Sequence, residues 1–202
     1  VNAAGPWVDD VLNRRAGLNG KPRIRLVKGS HIVVPKLFDH DRAYIFQNDD
    51  RRIVFAIPYE RDFTLIGTTE SEYTGDLAHP SITAAEQAYL LDMANRYFLR
   101  DLGVHDVVWT FAGLRPLLAA SLDDPKSVTR DYVIDFDRSG PPLLSMYGGK
   151  LTTYRKLAEQ VVDMLAPALG HASNAWTAAT PLPGGDMPDA GFEGFLARMR
   201  VR

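Results

Sequence analysis

Polar and apolar residues alternate with the two-residue period of a sheet along much of the first half of the chain, and shift to a helical period at several points. Residues 23–35 (RIRLVKGSHIVVP) read as a strand, and Gly29 inside it implies either a bulge or the close approach of another group. Residues 43–59 alternate on both sides of Asn48-Asp49-Asp50 and read as a hairpin, with 63–69 as the next strand, so that the whole predicts an antiparallel meander. Residues 107–118 read as a strand running into a loop. RDYVIDF and PLLSMYG flank the turn residues DRSGP and predict a second hairpin. Helical spacing follows Pro6 (Val8, Val11, Leu12), spans 81–99 (Ala85, Ala88, Leu91, Ala94, with Ser81 as N-cap) and begins again at Leu151 (Leu157, Val161, Leu165). The Pro/Gly-rich stretch 180–188 marks a boundary, and FEGFLARMRVR starts a further helix. The pattern predicts an α+β fold, a mixed and largely antiparallel sheet with helices.

Composition narrows the function classes. A chain of 202 residues can bury one sizeable core or two small ones. With 46% hydrophobic and 24% charged residues and a net charge of -2, it has the balance of a globular protein and no basic field for nucleic acid. The absence of cysteine excludes disulfides, thiolate catalysis and cysteine metal sites, and no metal is expected. No apolar run approaches the ~20 residues needed to span a bilayer, and no signal peptide is visible. The opening VNAAGPW has no methionine and falls within a strand-to-turn transition, so the chain is expected to be a piece of a longer protein.

The stretch MYGGKLTTYRKLAEQVVDML (146–165) resembles a phosphate-binding turn only superficially. A nucleotide loop needs G-x-x-x-x-G-K-[ST]; here Leu151 follows Lys150 and position 144 is Leu. Two readings stay open. Paired glycines followed by a helix start, with Lys150, Thr152 and Thr153 on it, suit an anionic atom. The same residues also make an ordinary helix entry in which Thr152 or Thr153 caps and Lys150 is solvated. Arg115 lies in the otherwise apolar FAGLRPLL and needs a partner if buried. Among five histidines, His31 lies within a strand, while His40, His79, His105 and His171 occupy polar or turn contexts and are expected to be exposed.

NAAGPWVD, KGSHIVVP, IGTTE, GLRPL, TRDY and GGKLTTYRKLAE occur in this order. Over residues 1 to about 185, the set resembles the FAD-dependent glycerol-3-phosphate dehydrogenases of the aerobic, respiratory type, within the glycine-oxidase-like flavoprotein group. The resemblance implies oxidation of sn-glycerol 3-phosphate to dihydroxyacetone phosphate, with electrons passed through FAD to a quinone. It also implies a cytoplasmic enzyme held peripherally at the inner face of the cell membrane. It implies four segments: the end of the FAD-binding α/β domain (1–20), a substrate-binding antiparallel sheet domain (21–140), a returning FAD-domain strand and helix (141–170), and a linker with the start of a truncated C-terminal helical domain (171–202). The family's G-x-G-x-x-G turn does not occur in these residues. The piece alone is therefore expected to bind FAD poorly and not to turn over, and open apolar surfaces give scope for a homodimer.

The resemblance assigns Ala3, Ala4, Gly5, Gly149, Lys150, Leu151 and Thr152 to the cofactor. Lys150 and the amides after it would neutralise the reduced flavin. It assigns Arg115, Arg130 and Lys150 to the phosphate, since guanidinium forks grip phosphate oxygens in pairs. It assigns His31 and Arg115 to the catalytic step, with His31 as the group that meets the substrate hydroxyl or the flavin. Thr68 and Thr69 either line the same cavity or are plain strand residues, and Glu70 stands where the family often carries Asp. The alternatives are an oxidase using oxygen, an amine or amino-acid oxidase of the same group, and a non-catalytic binding module. A carboxylate substrate needs one arginine, whereas a phosphate favours several convergent cations.

Overall fold

The computed structural model describes residues 1–18, 24–119, 128–129, 131–171, 174–187 and 191–201. Arg130 lies outside them, as does most of the 117–129 loop. The chain divides into two units, Val1–Gly149 and Lys150–Arg202.

The first unit is built on a sheet ordered β2-β3-β4-β1-β6-β7, where β1 is Ile24–Pro35, β2 Tyr44–Gln47, β3 Ile53–Tyr59, β4 Phe63–Gly67, β6 Trp109–Ala119 and β7 Val128–Thr129. The short β5 (Ser71–Glu72) pairs with the first half of β1. All of these pairings are antiparallel. The strands β2, β3 and β4 form the expected meander, but β1 does not lead it: it lies between β4 and β6. β1 carries buried side chains on both faces, among them Ser30, Ile32, Val33 and Val34, and a central position supplies cover for both.

One face of this sheet is closed by α2 (Ala84–Tyr97), where Ile32, Val34, Val54, Ala56 and Ile66 meet Leu90, Leu91, Met93 and Ala94. The helix starts at Thr83, not at Ser81. Thr83 Oγ1 accepts from the Glu86 amide at 3.2 Å, and Glu86 reaches back to the Thr83 amide at 2.8 Å, a reciprocal capping box. Of the expected stripe, Leu91 and Ala94 are buried, but Ala85 and Ala88 are exposed. Alanine contributes too little apolar area to orient a helix, and the larger Leu90 and Met93 decide which face turns inward.

The same unit holds the second hairpin, β8 (Tyr132–Asp137) and β9 (Leu143–Gly148), turned by Asp137, whose carboxylate accepts from the Ser139 amide at 2.8 Å. Asn2 bridges Ser145 of β9 in parallel, with Asn2 N donating to Leu144 O at 2.7 Å and Met146 N to Asn2 O at 3.0 Å. Beyond it the chain turns through Gly5–Trp7 into a short helix, α1 (Val8–Asp10), which continues to Arg15. Val8, 0% exposed, anchors it. The result is an α+β fold.

In the second unit a 3-10 turn, Leu151–Thr153, opens into α3 (Tyr154–Leu165); Leu157, Val161 and Leu165 face inward, as their spacing predicts. The buried Glu159 accepts from Arg155 Nη1 at 2.9 Å, Lys156 Nζ at 2.8 Å and Thr177 Oγ1 at 2.5 Å, fastening the segment around Thr177 to α3. The Lys156 ammonium, and then the Thr177 hydroxyl, hold its carboxyl near a pKa of about 2. A cleft of about 260 Å³ between α3 and this segment is lined by Tyr154, Ala158, Trp176 and Leu182 among others. A last helix, α4 (Gly191–Arg200), matches the predicted one.

Candidate active site

The face of the sheet turned away from α2 carries the candidate chemistry. Across the strands, Phe55, Gly67, His31 and Phe111 form one row, Gly29 and Gly113 the next pair, and Val27 and Arg115 the pair after that. Side chains of paired residues share a face, so His31 and Arg115 project on the same side with the two glycines between them. The β1–β6 register runs without interruption from Ile24 to Val33. Gly29 is therefore not a bulge. It marks a close approach: a Cβ there would lie 2.6 Å from Thr68 Oγ1 and 2.7 Å from both Arg115 terminal nitrogens. The guanidinium lies flat over bare backbone. Gly67 plays the same part for His31, whose ring would overlap any Cβ added there.

His31 stacks on Phe111 with ring centroids 4.7 Å apart and planes 8° from parallel. Burial, and then the Arg115 cation, push its pKa below the ordinary 6.5, which keeps the imidazole neutral and able to accept a proton at neutral pH. Among the described residues its buried Nδ1 has no hydrogen-bond partner. Arg115 Nη2 donates to Thr68 Oγ1 at 3.2 Å, while Nη1 is likewise buried and without a partner among the described residues. A neutral base and a cation thus share one face, each with an unsatisfied atom, at a place where the backbone has been kept free of side chains. Unsatisfied buried groups cost roughly 1–3 kcal/mol each, and a polar ligand is the ordinary compensation. The structure brings together His31 and Arg115, both singled out in the sequence. Sequence reasoning left Thr68 undecided and missed Phe111, because stacking depends on cross-strand register, which a single strand does not encode. Of the other histidines, His79, His105 and His171 are exposed, while His40 is half-buried against Phe38.

The cofactor residues fall in two places. Because Asn2 and Ser145 run in parallel, Ala3-Ala4-Gly5 and Gly148-Gly149 lie at the same, carboxyl end of neighbouring strands, where α/β sheets bind ligands. Gly5, Gly148 and Gly149 take φ of 54°, 70° and 96°, values that favour glycine, and a Cβ at Gly148 would lie 2.8 Å from the Asp131 carbonyl oxygen. A Cβ at Gly5 would meet nothing within 4 Å. A double turn with its Gly5 side open fits a large planar or diphosphate-bearing cofactor. Lys150, Leu151 and Thr152 belong to the second unit. Their turn has no side-chain cap, Leu151 is 88% exposed, and Thr153 Oγ1 donates to the Lys150 carbonyl at 2.9 Å, so neither threonine caps the entry.

Comparison with known proteins adds the family. The model described as "FAD dependent oxidoreductase" matches residues 1–155. The chain belongs to the FAD dependent oxidoreductase family. It is 50% identical to a glycerol-3-phosphate dehydrogenase of Pseudomonas aeruginosa, over 92% of this chain and 37% of that protein. It is 44% identical to a D-erythritol 1-phosphate dehydrogenase of Brucella abortus, over 99% of this chain and 40% of that protein. The crystal structure of the glycerol-3-phosphate dehydrogenase from Bacillus halodurans complexed with FAD superposes with a TM-score of 0.78 at 38% identity, covering 98% of this chain and 37% of the other. The chain thus spans about two-fifths of the length of the curated relatives it matches.

Proposed function

We propose that the protein containing this chain oxidises the secondary alcohol of sn-glycerol 3-phosphate to dihydroxyacetone phosphate. The observation that carries the reading is the pair of unsatisfied buried atoms, His31 Nδ1 and Arg115 Nη1, on one glycine-floored face. FAD, when bound, supplies the hydride acceptor. Arg115 offers Nη1 to a phosphate oxygen while Thr68 fixes the rest of the guanidinium. His31, neutral at pH 7, takes the hydroxyl proton at Nδ1 as the carbinol carbon is oxidised. The Phe111 ring restricts the imidazole to one plane and keeps water from that side.

Ala3, Ala4, Gly5 and Gly149 are assigned to FAD on the strength of the double turn at the strand ends and the open space at Gly5. Lys150 and the open amides of Leu151 and Thr152 are assigned to the anionic edge of the reduced flavin, and Lys150 and Arg130 to the phosphate. The domain reading follows the same assignment: 1–20 and 141–170 as parts of the FAD-binding domain, 21–140 as the substrate domain, and 171–202 as a linker leading into a helical domain. Onward electron transfer to a quinone, peripheral attachment at the inner face of the membrane, and a homodimer complete the proposal. Among the described residues, no helix is long and apolar enough to cross a membrane.

A second reading is favoured by the similarity to an erythritol phosphate dehydrogenase and by the open space above Gly113. It is the same reaction on a longer polyol phosphate. The test is turnover of the full-length, flavin-loaded protein with an artificial electron acceptor, comparing glycerol 3-phosphate, erythritol phosphates and amino acids. Preference for the three-carbon phosphate supports the first reading and preference for erythritol phosphate the second; turnover of amino acids alone overturns both.

A further inference from the structure

We propose that the buried Lys28–Glu86 pair, behind the sheet, positions the Arg115 guanidinium in front of it through Thr69 and Thr68. This inference rests on the reading of Arg115 as a phosphate ligand.

Every link is a short contact. Lys28 Nζ lies 2.8 Å from Glu86 Oε2 and donates to the Ser81 carbonyl at 2.8 Å. The Glu86 capping box needs only one carboxylate oxygen, and Oε2 serves it through Thr83. The other oxygen, Oε1, reaches away from the helix to accept from Thr69 Oγ1 at 3.1 Å and Ser71 Oγ at 3.0 Å. Thr69 is joined to β1 as well. Its Oγ1 accepts from the Ser30 amide at 3.0 Å, and its own amide donates to the Ser30 carbonyl at 3.3 Å. Thr68, next in the chain, donates its Oγ1 to the Thr69 carbonyl at 3.0 Å and receives Arg115 Nη2 on the same oxygen. On its other side, Gly67 is paired with both His31 and Phe55. Thr68 is therefore held from both directions, and the hydroxyl that steers Arg115 cannot drift.

A helix cap alone would not need a lysine side chain that is only 6% exposed, nor a threonine shared between a helix carboxylate and a strand amide. The arrangement instead carries the fixed position of α2 through the sheet to its working face. Thr69 is a positioning residue in this scheme: Lys28 and Glu86 set where it stands, and its hydroxyl sets Thr68.

The experiment uses the full-length, flavin-loaded protein. Thr69→Val removes the hydroxyl relay at nearly constant volume, and Thr69→Ser restores it. Loss of the hydroxyl's bond to the ionised Glu86 carboxylate, and of the one it accepts from the Ser30 amide, is expected to raise KM for glycerol 3-phosphate by about tenfold or more, with kcat changed far less, and Thr69→Ser is expected to return KM close to the parent value. Thermal midpoints of both variants separate this from a loss of fold. An unchanged KM in Thr69→Val, or equal losses in the valine and serine variants, overturns the inference. Arg115→Lys is measured alongside. If it raises KM while Thr69→Val does not, only the relay is wrong; if neither does, the phosphate reading of Arg115 falls too.

Discussion

Lys28 and Arg115 are two largely buried cations on opposite faces of one sheet, and the fold satisfies them differently. The Lys28 ammonium meets a carboxylate and a carbonyl, each at 2.8 Å. Among the described residues, Arg115 has one threonine hydroxyl, and its Nη1 has no partner. A satisfied buried cation secures structure; an unsatisfied one keeps its binding capacity for something that arrives later. The neighbouring side chains agree with that division. Lys28 stands on the face packed with Ile32, Val34 and Ile66, whereas Arg115 shares its face with Gly29, Gly113 and Gly67.

The largest test removes Lys28. In Lys28→Met, Glu86 is left as an unpaired buried carboxylate, and breaking such a pair from one side costs about 3–5 kcal/mol. Urea unfolding should show that loss, with part of it recovered in Lys28→Met/Glu86→Gln. A loss below 1 kcal/mol, within the range of an exposed pair, would erase the contrast with Arg115. The same pair predicts acid sensitivity. Burial raises the Glu86 pKa, but bonds from Lys28, Thr83 and Ser71 overcome it and hold the carboxyl at about 2 against an ordinary 4.5. Its folded pKa is depressed, so its contribution is fully present above 4.5 and is lost as pH falls from there through about 2.

Arg115→Met makes the opposite statement. No carboxylate is stranded among the described residues, and an unsatisfied buried N–H disappears, so stability should change by less than about 1 kcal/mol. Activity of the full-length protein should instead fall. Losing a charge-assisted contact to phosphate costs about 2–4 kcal/mol, on the order of 30- to 1000-fold in kcat/KM. Steady-state kinetics beside an unfolding curve reads both. A variant that is unstable yet active would place Arg115 with Lys28 as a structural cation.

The difference between the two cations was only half legible in the sequence. Arg115 stood out because an arginine inside FAGLRPLL demands a partner if buried. Lys28 left a weaker trace, a charged residue three positions before His31 in an apolar run, and the Thr83-Ala84-Ala85-Glu86 pattern of a capping box competes with Ser81 as the helix start. The pairing of Lys28 with Glu86 joins residues 58 positions apart and requires knowing that β1 lies next to α2. The central place of β1 was obscured for the same kind of reason, since strand order is a tertiary choice that local periodicity does not constrain. Gly29 was read as bulge or close approach, and only the unbroken β1–β6 register decided between them.

That decision gives a smaller effect. A Cβ at Gly29 would press on Thr68 Oγ1 at 2.6 Å as well as on the far end of Arg115 at 2.7 Å, so Gly29→Ala should displace both groups and lose about 1–2 kcal/mol of substrate binding, roughly five- to thirtyfold in KM. At Gly113, where an added Cβ meets nothing within 4 Å, alanine should leave KM for the three-carbon phosphate close to the parent value and act first on longer polyols. Equal effects at both glycines would mean that the guanidinium is not seated where the contacts place it.

The finest effect is on His31. Burial is the larger cause of its lowered pKa and the Arg115 charge the smaller. In Arg115→Met only the smaller cause is removed. The imidazole should therefore titrate at higher pH than in the parent protein yet still below 6.5, as followed by NMR of histidine-labelled protein. Replacing the stacked ring in Phe111→Ala attacks the larger cause, because it opens one side of the imidazole to water, and should move the titration further in the same direction. If the arginine change moved it more than the ring change, charge rather than burial would dominate the pocket. If neither moved it, His31 would not share an enclosed face with Arg115, and the site would lose its base.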